Sequence, residues 1–461
     1  MTVTATGVVR SHPRRRSELG LILVGALVVI FADVLAYLGT YNRFPPHLGV
    51  FVGILLAMGL AGNVANRFLA PEADPVILPV VLVLNGLGFV MMERLAPYVS
   101  SPHLAGYQAL WSGVGLFAYI VTLLVIRRSR DLERYRYLLL ASAFVLLVLP
   151  LVPGLKDQGP STQGVYLWVR LGPISFQPVE IAKLLLVIFF ASYFTEKREL
   201  LSMATNRVGN RLLPDLRGFG PIAVAWLGAV GIIILERDVG FSALLFVLFV
   251  AMLWVTTGRW TYLVLGAVAL VVATFIASHF LSQVNERFTV WLDPWKYVSG
   301  IGYQPAMGEV MMGRGGIAGR ALGLGGAPAI PVAQSDFIFA AIGNELGLIG
   351  TSAIVVAFML LVGSGTRIAL RARSGFSKLT ALGLTVVIGF QAFFIMGGVT
   401  RLLPLTGLTL PFVSYGGSSL LANYILIALL MRISNDNAEP IQTAMPQMLS
   451  ASTPLAAGRA T

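Results

Sequence analysis

Residues 219–257 read FGPIAVAWLGAVGIIILERDVGFSALLFVLFVAMLWVTT. A helix needs about 20 apolar residues to cross the hydrocarbon of a bilayer. This stretch supplies two such runs, separated only by Glu236, Arg237 and Asp238. Three charges at the centre of one long helix would be costly, so they mark a tight turn between two membrane helices. Comparable runs fall at about 19–37, 49–66, 76–92, 106–126, 136–153, 180–195, 261–281, 336–364, 379–398 and 411–431, which makes about twelve spans. The fold class that follows is an all-α, polytopic integral membrane protein with a long loop on its outer face.

Composition agrees. Of 461 residues, 56% are hydrophobic and 12% charged, with mean hydropathy +0.81. Ordinary soluble domains carry about 25% charged residues, so a soluble globule is excluded. Cys is absent and His occurs four times, which excludes disulfide frameworks and thiolate sites and disfavours a His-rich metal site. The net charge of +12 is concentrated in short loops, the pattern of membrane orientation rather than of a nucleic-acid partner. The strongest basic clusters, Arg127 to Arg136, Lys197 to Arg217 and Arg367 to Lys378, fall on one side together with Arg10 and Arg14 to Arg16. The positive-inside rule then puts both termini in the cytoplasm. The first run reads as an anchored helix rather than a cleaved signal. Asp33, within that run, calls for a partner inside the N-terminal pair of helices.

Two outward loops carry the candidate chemistry, about 153–178 and, much the longer, 282–335. In WVRLGPISFQPVEIAK, Glu180 and Lys183 are three apart and share a helix face. They read either as a structural ion pair or, with Arg170, as part of an anion site. Arg237 and Asp238 are either solvated turn residues or part of a polar cavity. Asp293 precedes Pro294, so it is either a turn initiator or a general base among aromatics. The run MGRGGIAGRALGLGG fits no nucleotide loop, and suggests flexible backbone carrying Arg314 and Arg320 over a substrate. Asp336 follows Ser335 at a helix start, where a capping role competes with a functional one. Arg401, Ser414 and the small residues after Tyr415 sit at another outward turn, and tight helix packing alone would explain the small residues.

Taken in order, FQPVEIAK, ERDVG, LDPWKYVSGIGYQ, SDFIFAAIGNELGLIG and PLTGLTLPFVSYGGSS resemble the signature blocks of the SEDS family (shape, elongation, division and sporulation), which includes RodA- and FtsW-type proteins. The resemblance is most like the RodA type. It implies a two-helix extension over 19–75 and a ten-helix core over 76–433, while charge and composition by themselves make 1–18 a basic cytoplasmic tail and 434–461, rich in Ala, Pro, Thr and Ser, a disordered cytoplasmic one. It further implies a multi-pass protein of the bacterial plasma membrane that polymerises lipid II, a disaccharide pentapeptide on undecaprenyl pyrophosphate, with a class B penicillin-binding protein as partner. Arg170, Glu180, Lys183, Arg237, Asp238, Asp336, Arg401 and Ser414 are the implied substrate-binding residues. Trp111 matches a family tryptophan, or is an interfacial anchor. No cofactor is required, although a divalent cation, Mg or Mn, at the pyrophosphate is compatible with the chemistry.

One departure stands out: Tyr297 occupies the position of the second Asp in the family's DPxxDPxGxGYQ block, its presumed catalytic carboxylate. Asp293 matches the first Asp and becomes the candidate base. A phenol, with an ordinary pKa near 10, is a poor substitute. Two rival readings remain: a lipid II flippase, and a weakened scaffold for the transpeptidase.

Overall fold

The protein is seen here as a computed structural model that describes residues 13–99, 103–152, 167–171, 174–199, 206–208, 211–213, 216–235 and 238–438. Its helices are α1 (Pro13–Tyr41), α2 (Leu48–Leu69), α3 (Ile77–Leu95), α4 (Leu104–Val125), α5 (Arg136–Val148), α6 (Val179–Glu196) and α7 (Leu216–Leu235). There follow α8 (Val239–Thr257), α9 (Thr261–Phe280), α10 (Ser282–Leu292), α11 (Tyr303–Gly315), α12 (Ile338–Leu370), α13 (Gly375–Val399) and α14 (Gly417–Ala438). Among the described residues, ten helical segments are long and apolar enough to cross a bilayer. The shorter apolar stretch Ala223–Leu235 lies in α7, and α6 carries Glu180, Lys183 and Glu196 on an otherwise apolar helix. Helices dominate because lipid offers no hydrogen bonds, so each span must satisfy its own backbone. Two short antiparallel hairpins lie outside the spans, one pairing Arg170 with Ser175 and the other Arg207 with Leu212.

The core forms where α14 packs on α4, α12 on α13 and α5 on α6, and α1 leans on α3. α4, α8, α12 and α13 keep apolar side chains on the outside as well as the inside, as lipid-facing helices do. The extension is fastened at the face opposite the long loop. There the buried Arg15 guanidinium donates to Glu18, to Pro71 O at 3.1 Å and to Ala73 O. Asn66 donates to Glu18 at 2.7 Å and accepts from Tyr119 of α4. Arg432 of α14 donates to Leu69 O and Leu123 O at 2.8 and 2.6 Å. Asp33 meets His47 within the extension, as the sequence had suggested, and also Glu93 of α3, which the leaning of α1 brings beside it.

The stretch 282–335 is built rather than loose. It contains the amphipathic α10, the short α11 and a Gly-rich segment docked on α12. Arg320 N–H donates to Asn344 O, and Leu348 and Ile349 N–H donate to Gly316 O and Ile317 O at 3.0–3.1 Å. This docking needs Gly347, which breaks α12 at φ 66°, ψ −160° and whose missing side chain leaves room for Gly319 N and Ile317 O. The Arg94–Glu345 ion pair closes the arrangement: Glu345 also accepts from Gly323 N–H at 2.9 Å, and Arg94 donates to Gly325 O at 3.1 Å. The glycine run is therefore packed, not a flexible cover, because its backbone groups already have protein partners.

Candidate active site

The segment 404–419, PLTGLTLPFVSYGGSS, is the hub around which the polar side chains of the loop face gather. Ser414 Oγ accepts from Leu410 N–H and donates to Ser335 O, and Tyr415 N–H donates to Gln334 O at 2.8 Å. Ser418 accepts from Gln177 N–H, joining the hub to the start of α6. The Trp111 indole lies directly on Gly417, where no side chain would fit. The small residues of the signature thus serve close approach, and Trp111 is a packing partner of the hub.

Over the hub, two adjoining cavities of about 220 and 190 Å³ share Arg287, Gln304, Gly398 and Leu405 in their walls. Arg287, on α10, donates to Thr406 O at 2.9 Å, and Gln304, on α11, donates to Pro331 O at 3.0 Å. Arg401 and Glu286 border the first cavity and Asp336 the second. Arg401 pairs with Glu309 of α11 at 3.1 Å and donates to Trp291 O and Leu292 O at 3.2 and 3.0 Å. The Trp291 indole N–H returns a hydrogen bond to Arg401 O at 2.9 Å. Arg401 takes φ 57°, a left-handed conformation in which glycine is usual after a helix end. A non-glycine residue there costs about 1–2 kcal/mol, a strain of the kind that collects at functional sites. Its effect is to clamp the end of α10 immediately before Asp293.

Asp293 is exposed, and its carboxylate accepts from Lys296 N–H at 3.2 Å, so it initiates the Pro294 turn while remaining open to the loop face. Tyr297 is half-buried, with the Lys296 ammonium 5.7 Å from its ring centre. Asp336 lies beside Arg287 and Ser335, and burial raises its pKa above the ordinary carboxylate value, against the pull of both. Asp238 caps α8 by accepting from Phe241 N–H at 3.0 Å. Burial pushes it up to about 6, with that hydrogen bond and Arg287 acting the other way.

Lys183 is placed differently. It is buried, donating to Glu180 and, at 2.9 Å, to Gln391, whose amide in turn donates to Thr409 O of the hub. Phe241 lies under the ammonium, 5.5 Å away at its ring centre. Glu180 and Lys183 thus form the ion pair that one reading of the sequence expected, tied to the hub through Gln391, and Glu180 also lies near enough to Asp238 to act on its charge. Arg170 is exposed on its hairpin. Arg237 lies outside the described residues. The site therefore brings together Arg401, Asp336, Asp238 and Ser414, with Asp293 on the clamped segment.

Arg287, Gln304, Glu309 and Gln391 were not among the expected site residues. Gln304 is the last residue of the quoted LDPWKYVSGIGYQ block and Arg287 lies five residues before its start, and that position was the available signal. Glu309 and Gln391 carried none, since their roles depend on partners 92 and 208 residues away.

A family model described as "Cell cycle protein" (FTSW_RODA_SPOVE) matches residues 75–439. The chain belongs to this family. It is 38% identical over 439 residues to the "Peptidoglycan glycosyltransferase RodA" of Mycobacterium tuberculosis, covering 94% of this chain and 93% of that one. The "Probable peptidoglycan glycosyltransferase FtsW" of Geobacter metallireducens is 31% identical over 373 residues, covering 78% of this chain and 94% of its own. A chain from a structure described as "Structural coordination of polymerization and crosslinking by a peptidoglycan synthase complex" matches with TM-score 0.65 and 27% identity, covering 80% of this chain and 99% of its own. The Thermus thermophilus rod shape determining protein RodA matches with TM-score 0.57 at 24% identity, over 80% of this chain and 98% of its own, and speaks for the fold. This family member is thus a multi-pass membrane enzyme of the peptidoglycan glycosyltransferase class.

Proposed function

We propose that this peptidoglycan glycosyltransferase polymerises lipid II at the outer leaflet, with the long-loop face outside and both termini in the cytoplasm. The observation that carries the reading is the pair of adjoining cavities beneath α10 and α11, where two guanidinium groups, Arg287 and Arg401, stand beside carboxylates. A lipid-linked pyrophosphate is the ligand this arrangement suits: guanidinium forks bind phosphate oxygens and balance the charge that develops on a departing diphosphate.

In the step proposed, a hydroxyl oxygen of the acceptor sugar bonds to the anomeric carbon of the donor. The bond from that carbon to the undecaprenyl pyrophosphate oxygen breaks, and Asp293 takes the hydroxyl proton. Arg401 serves twice, as a phosphate ligand and as the clamp that holds Asp293 near it. Glu309 orients Arg401, Asp238 and Asp336 set the charge around Arg287, and Ser414 and Trp111 fix the hub. A divalent cation, Mg or Mn, at the pyrophosphate stays compatible with the site, since such an ion would be held by one or two carboxylates together with the substrate's own phosphate oxygens. No nucleic acid enters the reaction. The membrane partner is a class B penicillin-binding protein, in keeping with the synthase complex among the structural neighbours.

The purified chain, given lipid II in detergent, is expected to form glycan polymer, and more of it with the partner present. Movement of labelled lipid II across vesicles without polymer would instead support a flippase. Polymer only in the presence of a separate polymerase would support a scaffold.

A further inference from the structure

A third cavity, of about 220 Å³, lies away from the site, where the two-helix extension meets α3 and α4 at the loop-face end. Phe51, Leu55 and Met58 of α2 face Leu82 and Phe89 of α3 across it. Its deep end is largely apolar, and the amide there is already engaged by protein partners. Asn85 donates to Tyr424 at 2.8 Å and accepts from Ser112 at 3.0 Å, which uses both ends of its amide. Its mouth is the opposite in character. Asp33, His47 and Glu93 line it, with Asp33 and Glu93 hydrogen-bonded to each other and His47 close enough to interact with Asp33. Val50 and Ile54, also in its wall, are exposed on the side that faces lipid.

An occupant must therefore be apolar at depth and charged at the headgroup level, and it must enter sideways from the bilayer. We infer that this cavity binds one chain of a phospholipid whose headgroup carries a primary amine. The ammonium sits at the Asp33 and Glu93 carboxyls and the phosphate lies towards His47. Charge complementarity selects the headgroup, because a purely anionic lipid would bring its phosphate and nothing cationic to two acidic side chains. The shared family segment begins at residue 75, so α1 and α2 lie outside it and the seam belongs to members that carry the extension. The site stands apart from the proposed polymerase chemistry and does not depend on it.

The test uses the full chain in nanodiscs with photoactivatable phosphatidylethanolamine, the reactive group at its acyl terminus, in competition with phosphatidylethanolamine or phosphatidylglycerol. Cross-links are expected in the peptides spanning 50–58 and 82–89. Unlabelled phosphatidylethanolamine should compete about tenfold better than phosphatidylglycerol. Ala109→Trp, which fills the cavity, should abolish the labelling. The double variant Asp33→Asn, Glu93→Gln should keep the labelling and lose the headgroup preference. Equal competition by the two lipids on the wild-type chain, or labelling spread evenly around the bundle, would overturn the inference without recourse to any variant. So would preferential displacement by a prenyl phosphate, which would give the cavity to the substrate tail. If Ala109→Trp does not fold, Ala105→Trp at the same wall makes the same prediction.

Discussion

Two arginine–glutamate pairs in this molecule share a chemistry and differ in everything around it. Arg94 and Glu345 are 4% and 0% exposed, and each also engages the backbone of the glycine run. Arg401 and Glu309 are 31% and 25% exposed, and Arg401 borders a cavity. A buried pair is kept only when its remaining hydrogen-bonding capacity is used, and then it fixes structure. A half-exposed pair contributes little to stability and leaves its cation available to a ligand. Environment, not residue type, divides scaffold from site.

The comparison breaks first at the buried pair. Glu345→Ala should strand Arg94 among apolar neighbours at a cost of about 3–5 kcal/mol, read as a fall in melting temperature and in detergent-stable yield. A variant that melts like the wild type would remove the distinction. Arg401→Ala should do the reverse, leaving melting within about 1 kcal/mol of the wild type while polymerisation falls about 10²–10³-fold. Arg401→Lys should recover little, since one ammonium cannot serve two carbonyls, a carboxylate and a phosphate together.

Asp238 sharpens the contrast through pH. Its folded pKa of about 6 exceeds the ordinary 3.8, so the folded state is favoured while the carboxyl is protonated. That stability is full below about pH 3.8 and declines as pH rises to 6, amounting to about 3 kcal/mol by then. Asp238→Asn keeps the cap and should flatten this part of the stability profile. An unchanged profile would show that Asp238 is not the group responsible. The smallest effect is expected from Tyr297→Asp. A second carboxylate beside an existing base should raise polymerisation by less than the ~10²–10⁴ that general-base catalysis supplies. No gain would mean that the loop places position 297 away from the acceptor.

The spans were legible because membrane insertion is decided locally: the ERD interruption at 236–238 can be read without knowing any tertiary contact. The pairing of Glu180 with Lys183 was legible for the same reason, as neighbours one helical turn apart. What Lys183 does was not, because Gln391, its other partner, comes from α13. The glycine run misled for a related reason. Its composition suggests mobility, yet its ordering depends on Glu345 and on a break at Gly347, neither visible in the run itself. Asp33 and Glu93 are brought together only by the leaning of α1 on α3. Arg401 was readable as a cation at an outward turn, but its left-handed backbone and its hold on Trp291 and Leu292 belong to the folded chain.

The central claim is that Asp293, held by Arg401, takes the proton of the acceptor sugar. The direct measurement is polymerisation of lipid II by purified Asp293→Asn, in which the side-chain oxygen that accepts from Lys296 N–H is kept. Turnover should fall about 10²–10⁴-fold while lipid II binding stays within a few-fold of the wild type. Wild-type turnover by that variant would contradict the account.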